Sequence, residues 1–133
     1  YLSADPVKND RLAFAFLDAA HKNKQSPSSD ITYQKAYCFD KGIGTEMDDV
    51  AAINLYQEAA EAGHIEAQYH LGLRLVNFSE SPQMEKAGMG WLETAAENGS
   101  IAAGVTLFRF EKGRKALALE AALEEEAKQL NTA

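Results

Sequence analysis

The sequence predicts an all-α protein, an α-solenoid of stacked antiparallel helix pairs with about seven helices. Three observations carry that expectation. Ala59-Ala60-Glu61-Ala62-Gly63 recurs as Ala95-Ala96-Glu97-Asn98-Gly99, a period of 36 residues from Gly63 to Gly99, and self-similarity at a period of roughly 20–50 residues marks stacked-repeat architectures. The match continues in register. Ala51 aligns with Ala87, Ile53 with Met89, Leu55 with Trp91, Tyr56 with Leu92, Ala67 with Ala103 and Leu71 with Leu107. Composition agrees, because Ala, Leu and Glu are abundant and only 3 prolines occur in 133 residues, which favours helices over strands.

Asp5-Pro6 opens the first helix: the aspartate caps free amides and the proline suits the first helical position. Its predicted inner face is Leu12, Ala13, Phe16, Leu17 and Ala20, at helical spacing, and it ends near His21. Asn23 to Ser29, with Pro27, reads as a polar loop. Ser29 or Asp30 caps an aromatic-rich second helix holding Ile31, Tyr33, Tyr37, Cys38 and Phe39. Gly42-Ile43-Gly44 stops it, since glycine tolerates the left-handed conformation at a helix end. Asp48 or Asp49 caps the third helix, whose apolar stripe is Ala52, Ile53, Leu55, Tyr56, Ala59 and Ala60, and Gly63 ends it.

The fourth helix turns Ala67, Leu71, Gly72 and Leu75 inward. Asn77 to Ser81 is a loop, and Ser81-Pro82 repeats the cap-plus-proline start. The fifth helix carries Ala87, Met89, Trp91, Leu92, Ala95 and Ala96 and stops at Gly99. The sixth spans Ile101 to Glu111. A seventh is expected after Gly113, from Arg114 to Leu130, with Ala116, Leu119, Leu123, Ala127 and Leu130 packing on the stack and Glu120 and Glu124-Glu125-Glu126 facing water as a cap. Alanine pairs and Gly72 fall where helices must cross closely, and larger side chains there would separate the axes.

Charge and cysteine content narrow the function classes. The net charge is −7. An acidic surface repels phosphate backbones, so nucleic acid is not an expected partner; a protein or peptide of basic character fits better, unless the acidity serves solubility alone. The single cysteine, Cys38, cannot form an internal disulfide and reads as a buried, inert thiol. No run is long enough to span a membrane. The chain opens at Tyr1 without a methionine, which fits removal of a leader from a precursor.

No catalytic, metal or cofactor site is expected. His64 and His70 stand six apart, off the three- or four-residue spacing that puts two ligands on one helix face. Glu66 and His70 fit a surface pair. Asp48-Asp49 sits where helix capping accounts for it. Gly42-x-Gly44 lacks the strand and further glycine of a phosphate loop, and no Ser/His/Asp elbow occurs. A hydrolase would need convergent groups such as Glu66 and His70, and nothing joins them.

Leu71-Gly72, Gly42-Ile43-Gly44, Asp48, Ala52, Tyr56 and above all the segment Ala59 to Gly72 together resemble a Sel1-like repeat, a helix-pair relative of the tetratricopeptide repeat. The likeness covers roughly residues 30–110. It departs from the family pattern at Lys35 and Ala36, at Asn77 to Glu80, at Phe108 and at Glu111. The resemblance implies one domain over 1–133: a degenerate helix and loop at 5–29, repeats at 30–63 and 64–99, and a degenerate repeat with capping helix at 100–133. It implies that Gly42, Gly44, Ala59, Ala60, Gly63, Leu71, Gly72, Ala95, Ala96 and Gly99 are structural.

It also implies a non-catalytic adaptor or scaffold, often bacterial and often exported, so a periplasmic location is favoured over a cytoplasmic one. The alternative is an immunity protein that neutralises a secreted toxin by direct binding. In helix-pair solenoids the first helix of each pair lines the concave side. That places Tyr33, Tyr37 and Asp40 of the second helix, Glu66, Tyr69, Leu73 and Val76 of the fourth, and Val105 and Arg109 of the sixth along a groove, with His70 beside them. Tyrosine and arginine are common binding anchors; the competing reading is that the tyrosines fill gaps between helices.

Overall fold

The computed structural model describes residues 6–23 and 28–132, and within them the chain is all helical. Six helices follow one another: α1 (Pro6–Lys22), α2 (Ser29–Lys41), α3 (Asp49–Glu61), α4 (Ile65–Asn77), α5 (Pro82–Glu97) and α6 (Ile101–Thr132). The substantial packing joins helices adjacent in the chain, from α1 on α2 through α5 on α6, an arrangement common to helical bundles and solenoids. Asp5, expected to cap α1, and Pro27 in the following loop lie outside the described residues.

Local chemistry sets the helix ends. The Asp48 side chain accepts from the Ala51 amide at 3.1 Å and Ser81 from the Met84 amide at 3.2 Å. Ser28, one residue before the expected position, caps α2 by accepting from the Ile31 amide. Two turns close with the same bonds. The Gly63 amide donates to the Ala60 carbonyl and the His64 amide to the Ala59 carbonyl; thirty-six residues on, Gly99 donates to Ala96 and Ser100 to Ala95. Both glycines have positive φ, 93° and 105°, a region side chains other than glycine rarely enter. The next residue then caps the new helix: His64 Nδ1 accepts from the Ala67 amide and Ser100 Oγ from the Ala103 amide.

The core is rich in alanine. Ala36, Ala52, Tyr56, Ala59, Ala60, Ala67 and Leu71 form one buried cluster, with Leu55 and Trp91 packed against it; Leu92, Ala95 and Ala103 form a second. Small side chains let helix axes approach, and the tightest crossing is α4 on α5. A Cβ on Gly72 would lie 2.7 Å from Leu92 Cγ and 2.9 Å from the Gly88 carbonyl oxygen, and one on Gly88 would lie 2.9 Å from the Gly72 carbonyl oxygen. Gly44 presses the α2–α3 turn onto α1, where a Cβ would overlap the Asp10 carbonyl. Gln68 is buried and ties the two turns together: its amide donates to the Ala60 carbonyl and its oxygen accepts from Asn98.

Three expectations change. The sixth and seventh helices are one, α6, a continuous helix of 32 residues through Gly113. Gly63 and Gly99 break their helices because a capping residue follows each; Gly113 is followed by Arg114, which cannot cap, so the helix continues at a cost of about 1 kcal/mol for the glycine. Residues 111–131 are all exposed, so the face of Ala116, Leu119, Leu123, Ala127 and Leu130 packs on nothing within the chain. In α1, Leu12 and Phe16 are exposed, and the inward aromatic is Phe14, edge-on to Phe39 at 5.2 Å.

Candidate binding surface

Three depressions adjoin across one side of the helices. The first, of about 580 Å³, is lined by Ala13 and Leu17 of α1, Tyr33, Gln34, Tyr37 and Cys38 of α2 and His70 of α4. The second, also about 580 Å³, shares His70 and continues over Lys41, Met47, Tyr69, Leu73, Arg74 and Phe78, with Asp40 at its base. The third, about 450 Å³, shares Tyr69 and Leu73 and ends on Thr106, Arg109 and Phe110 of α6. His70 joins the first to the second, and Tyr69 and Leu73 join the second to the third.

Aromatic packing fixes the centre of this surface. The His70 ring stacks on Tyr56 at 5.4 Å and 13° and lies 5.7 Å from Tyr33, 6.2 Å from Tyr37 and 5.3 Å from Tyr69. Burial, with the Lys41 ammonium nearby, pushes the imidazole below its ordinary value of 6.5, so the ring is neutral at neutral pH. Tyr33 also stacks on His64 at 4.5 Å. Burial and then the neighbouring Glu66 carboxylate push the Tyr33 phenol up, which keeps it a hydrogen-bond donor throughout the physiological range.

Beneath the rings lies a charged support. Asp40 is 3% exposed. It accepts a 2.8 Å hydrogen bond from the Tyr56 hydroxyl and pairs with Arg74, which also reaches Asp49 at 3.0 Å and covers the Phe78 ring at 5.4 Å. These bonds pin α2, α3 and α4 to one another under the surface.

Of the residues expected along a groove, Tyr33, Tyr37, Tyr69, His70, Leu73 and Arg109 line the joined depressions. Glu66 is exposed beside Tyr33. The same carboxylate also acts on the His70 ring, favouring its protonated form against the effect of burial. Asp40 lies at the base of the second depression, with its carboxylate engaged by Tyr56 and Arg74. Val76 is turned toward Gly88 of α5, and Val105 lies outside the lining. Sequence reasoning missed Leu17, Arg74, Phe78 and Phe110 as lining residues, and it did not identify His64 as the cap of α4. Its only signal was its position, aligned with Ser100.

Cys38 is buried, and burial raises its thiol pKa, with Asp10 adding to the shift; a thiol so placed is a poor nucleophile. Among the described residues no group of three or more His, Cys, Asp or Glu side chains is arranged to hold a metal ion, and no helix is long and apolar enough to cross a membrane. Compared with known proteins, the chain matches no family model, no curated protein and no solved structure.

Proposed function

We propose that the chain is a non-catalytic protein-interaction module, a short Sel1-like α-solenoid that holds a protein or peptide on the side formed by α2, α4 and α6. The observation that carries this reading is the continuity of the three depressions from Leu17 to Arg109, floored by rings rather than by convergent acid–base groups. Half-exposed tyrosines offer apolar area with a hydroxyl at the rim, the combination that anchors interfaces. The identical bonding of the two Ala-Ala-Glu-x-Gly turns supports the repeat reading. The net charge of −7 favours a partner with basic side chains, whose ammonium or guanidinium groups would rest on the faces of Tyr33 and Tyr37.

Titration against an array of cationic and anionic peptides tests the proposal. The cationic set should bind, with affinity falling as salt rises. Tyr37→Ala and Tyr69→Ala should each weaken binding at least about tenfold while helicity and melting temperature stay close to wild type. If both variants unfold, the tyrosines are core residues and the surface loses its anchors. If both fold and bind normally, the partner sits elsewhere.

A further inference from the structure

The far side of α6 carries a second surface. Ile101, Val105, Phe108, Leu119, Leu123 and Leu130 are between 43% and 83% exposed. At about 100° per residue all six fall within an arc of about 60°, which also holds Lys112 and Glu126. Ala103, Leu107 and Phe110, which pack against the α5 side, centre about 160° away on the same wheel. An apolar stripe interrupted by Lys112 and Glu126 therefore runs along a helix of 32 residues, on the face turned from α5. The part beyond Gly113 is about 30 Å long; its residues 114–131 are all exposed, and Arg114 at its root pairs with Glu85 of α5 at 3.1 Å.

We infer that this stripe pairs with the same stripe of a second copy of the chain, the two α6 helices running antiparallel. The charge order selects that occupant. Lys112 and Lys115 lie at the root of the projecting half and Glu126 toward its tip, so reversing one copy sets root against tip. With Leu119 opposite Leu123 of the second copy, Lys115 falls beside Glu126 of the second copy, and symmetry makes the pair twice. A parallel arrangement sets like charge on like along the same flank. In the single chain Lys115 reaches only Glu111, at 3.2 Å, an exposed pair worth little and easily exchanged. The overlap runs from Lys112 to Leu130, which leaves α1 to α5 of each copy at opposite ends and the tyrosine surface free. This inference does not depend on the peptide-binding reading.

Sedimentation velocity of the full chain across a wide concentration range tests it. Wild type should pass from monomer to dimer as concentration rises. Leu123→Lys should abolish the dimer. Lys115→Glu and Glu126→Lys should each weaken it about tenfold, two like-charge contacts replacing two pairs, and the double variant Lys115→Glu/Glu126→Lys should recover most of the loss. All three positions are exposed, and unchanged helicity by circular dichroism controls for folding. A wild-type chain that stays monomeric at the highest attainable concentration overturns the inference, whether α6 folds back at Gly113 or binds another partner. A dimer that survives Leu123→Lys, or a double variant no better than the singles, overturns it as well.

Discussion

Gly88 and Gly113 are both glycines inside a helix, and their surroundings are opposite. A Cβ on Gly88 would meet Val76, Leu75 and the Gly72 carbonyl within 3 Å, whereas at Gly113 nothing lies within 4 Å. Around Gly88, α4 and α5 meet backbone to backbone, and the region from α2 to α5 is specified by packing. Beyond Gly113, α6 is specified mainly by local propensity, in a stretch of Ala, Leu, Glu and Lys tied to α5 only at its root by Arg114 and Glu85. The same residue type is a packing requirement in one region and a tolerated weakness in the other.

Removing a buried charge should separate the two regions most. Asp40→Ala leaves the buried Tyr56 hydroxyl unpaired and Arg74 with Asp49 alone, and should cost about 3 kcal/mol, read as a lower urea midpoint. Glu111→Ala breaks the Lys115 pair on the projecting half of α6 and should leave that midpoint unchanged. Equal effects would mean that the Asp40 site is as well hydrated as the α6 surface.

A smaller effect comes from the glycines themselves. Gly88→Ala gains helix propensity but forces its methyl against backbone and Val76, and it should lower stability by about 1–2 kcal/mol. Gly113→Ala has no neighbour to meet and should raise helicity, stabilising α6 by up to about 1 kcal/mol. Thermal melts followed by circular dichroism distinguish the two. A neutral Gly88→Ala would show that α4 and α5 can move apart at little cost.

This contrast explains what was legible in the sequence. The helix stops at Gly63 and Gly99 were, because glycine after a helical run is a local signal; the caps His64 and Ser100 that follow them were not. The inward faces of α3 and α4 were legible, because Ala52, Tyr56, Ala59 and Ala60 in α3 and Ala67, Leu71, Gly72 and Leu75 in α4 recur at helical spacing. The continuity of α6 overturns the expected stop at Gly113, because Arg114 cannot cap a new helix there. The direction of Asp40 was not legible, since its partners Tyr56 and Arg74 lie 16 and 34 residues away and only the packed helices bring them together. Lys35, which departs from the Sel1-like pattern, is 8% exposed and reaches Asp18 at 2.9 Å and His21 at 3.3 Å. It fastens α2 to α1 by an ion pair where the pattern places leucine.

The least disruptive test uses protons. His70 is pushed below its ordinary value of 6.5 by burial among the tyrosines, and Lys41 adds to the shift while Glu66 opposes it. Between 6.5 and the lower folded value the unfolded chain holds the proton and the folded chain does not, so stability rises with pH in that window and is lost on acidification. Wild type should therefore lose more melting temperature between pH 7.5 and 5.5 than His70→Phe, which keeps a ring on Tyr56 and removes the titration. His21 and His64 are common to both proteins and cancel in the comparison. The depressed Asp18 carboxyl, held by Lys35 and Lys22, acts only below its ordinary 3.8, outside the window. The projecting half of α6 contains no histidine, so a fluorophore attached near its end should report no change over the same range. Coincident profiles for wild type and His70→Phe would place water around that ring and open the centre of the tyrosine surface.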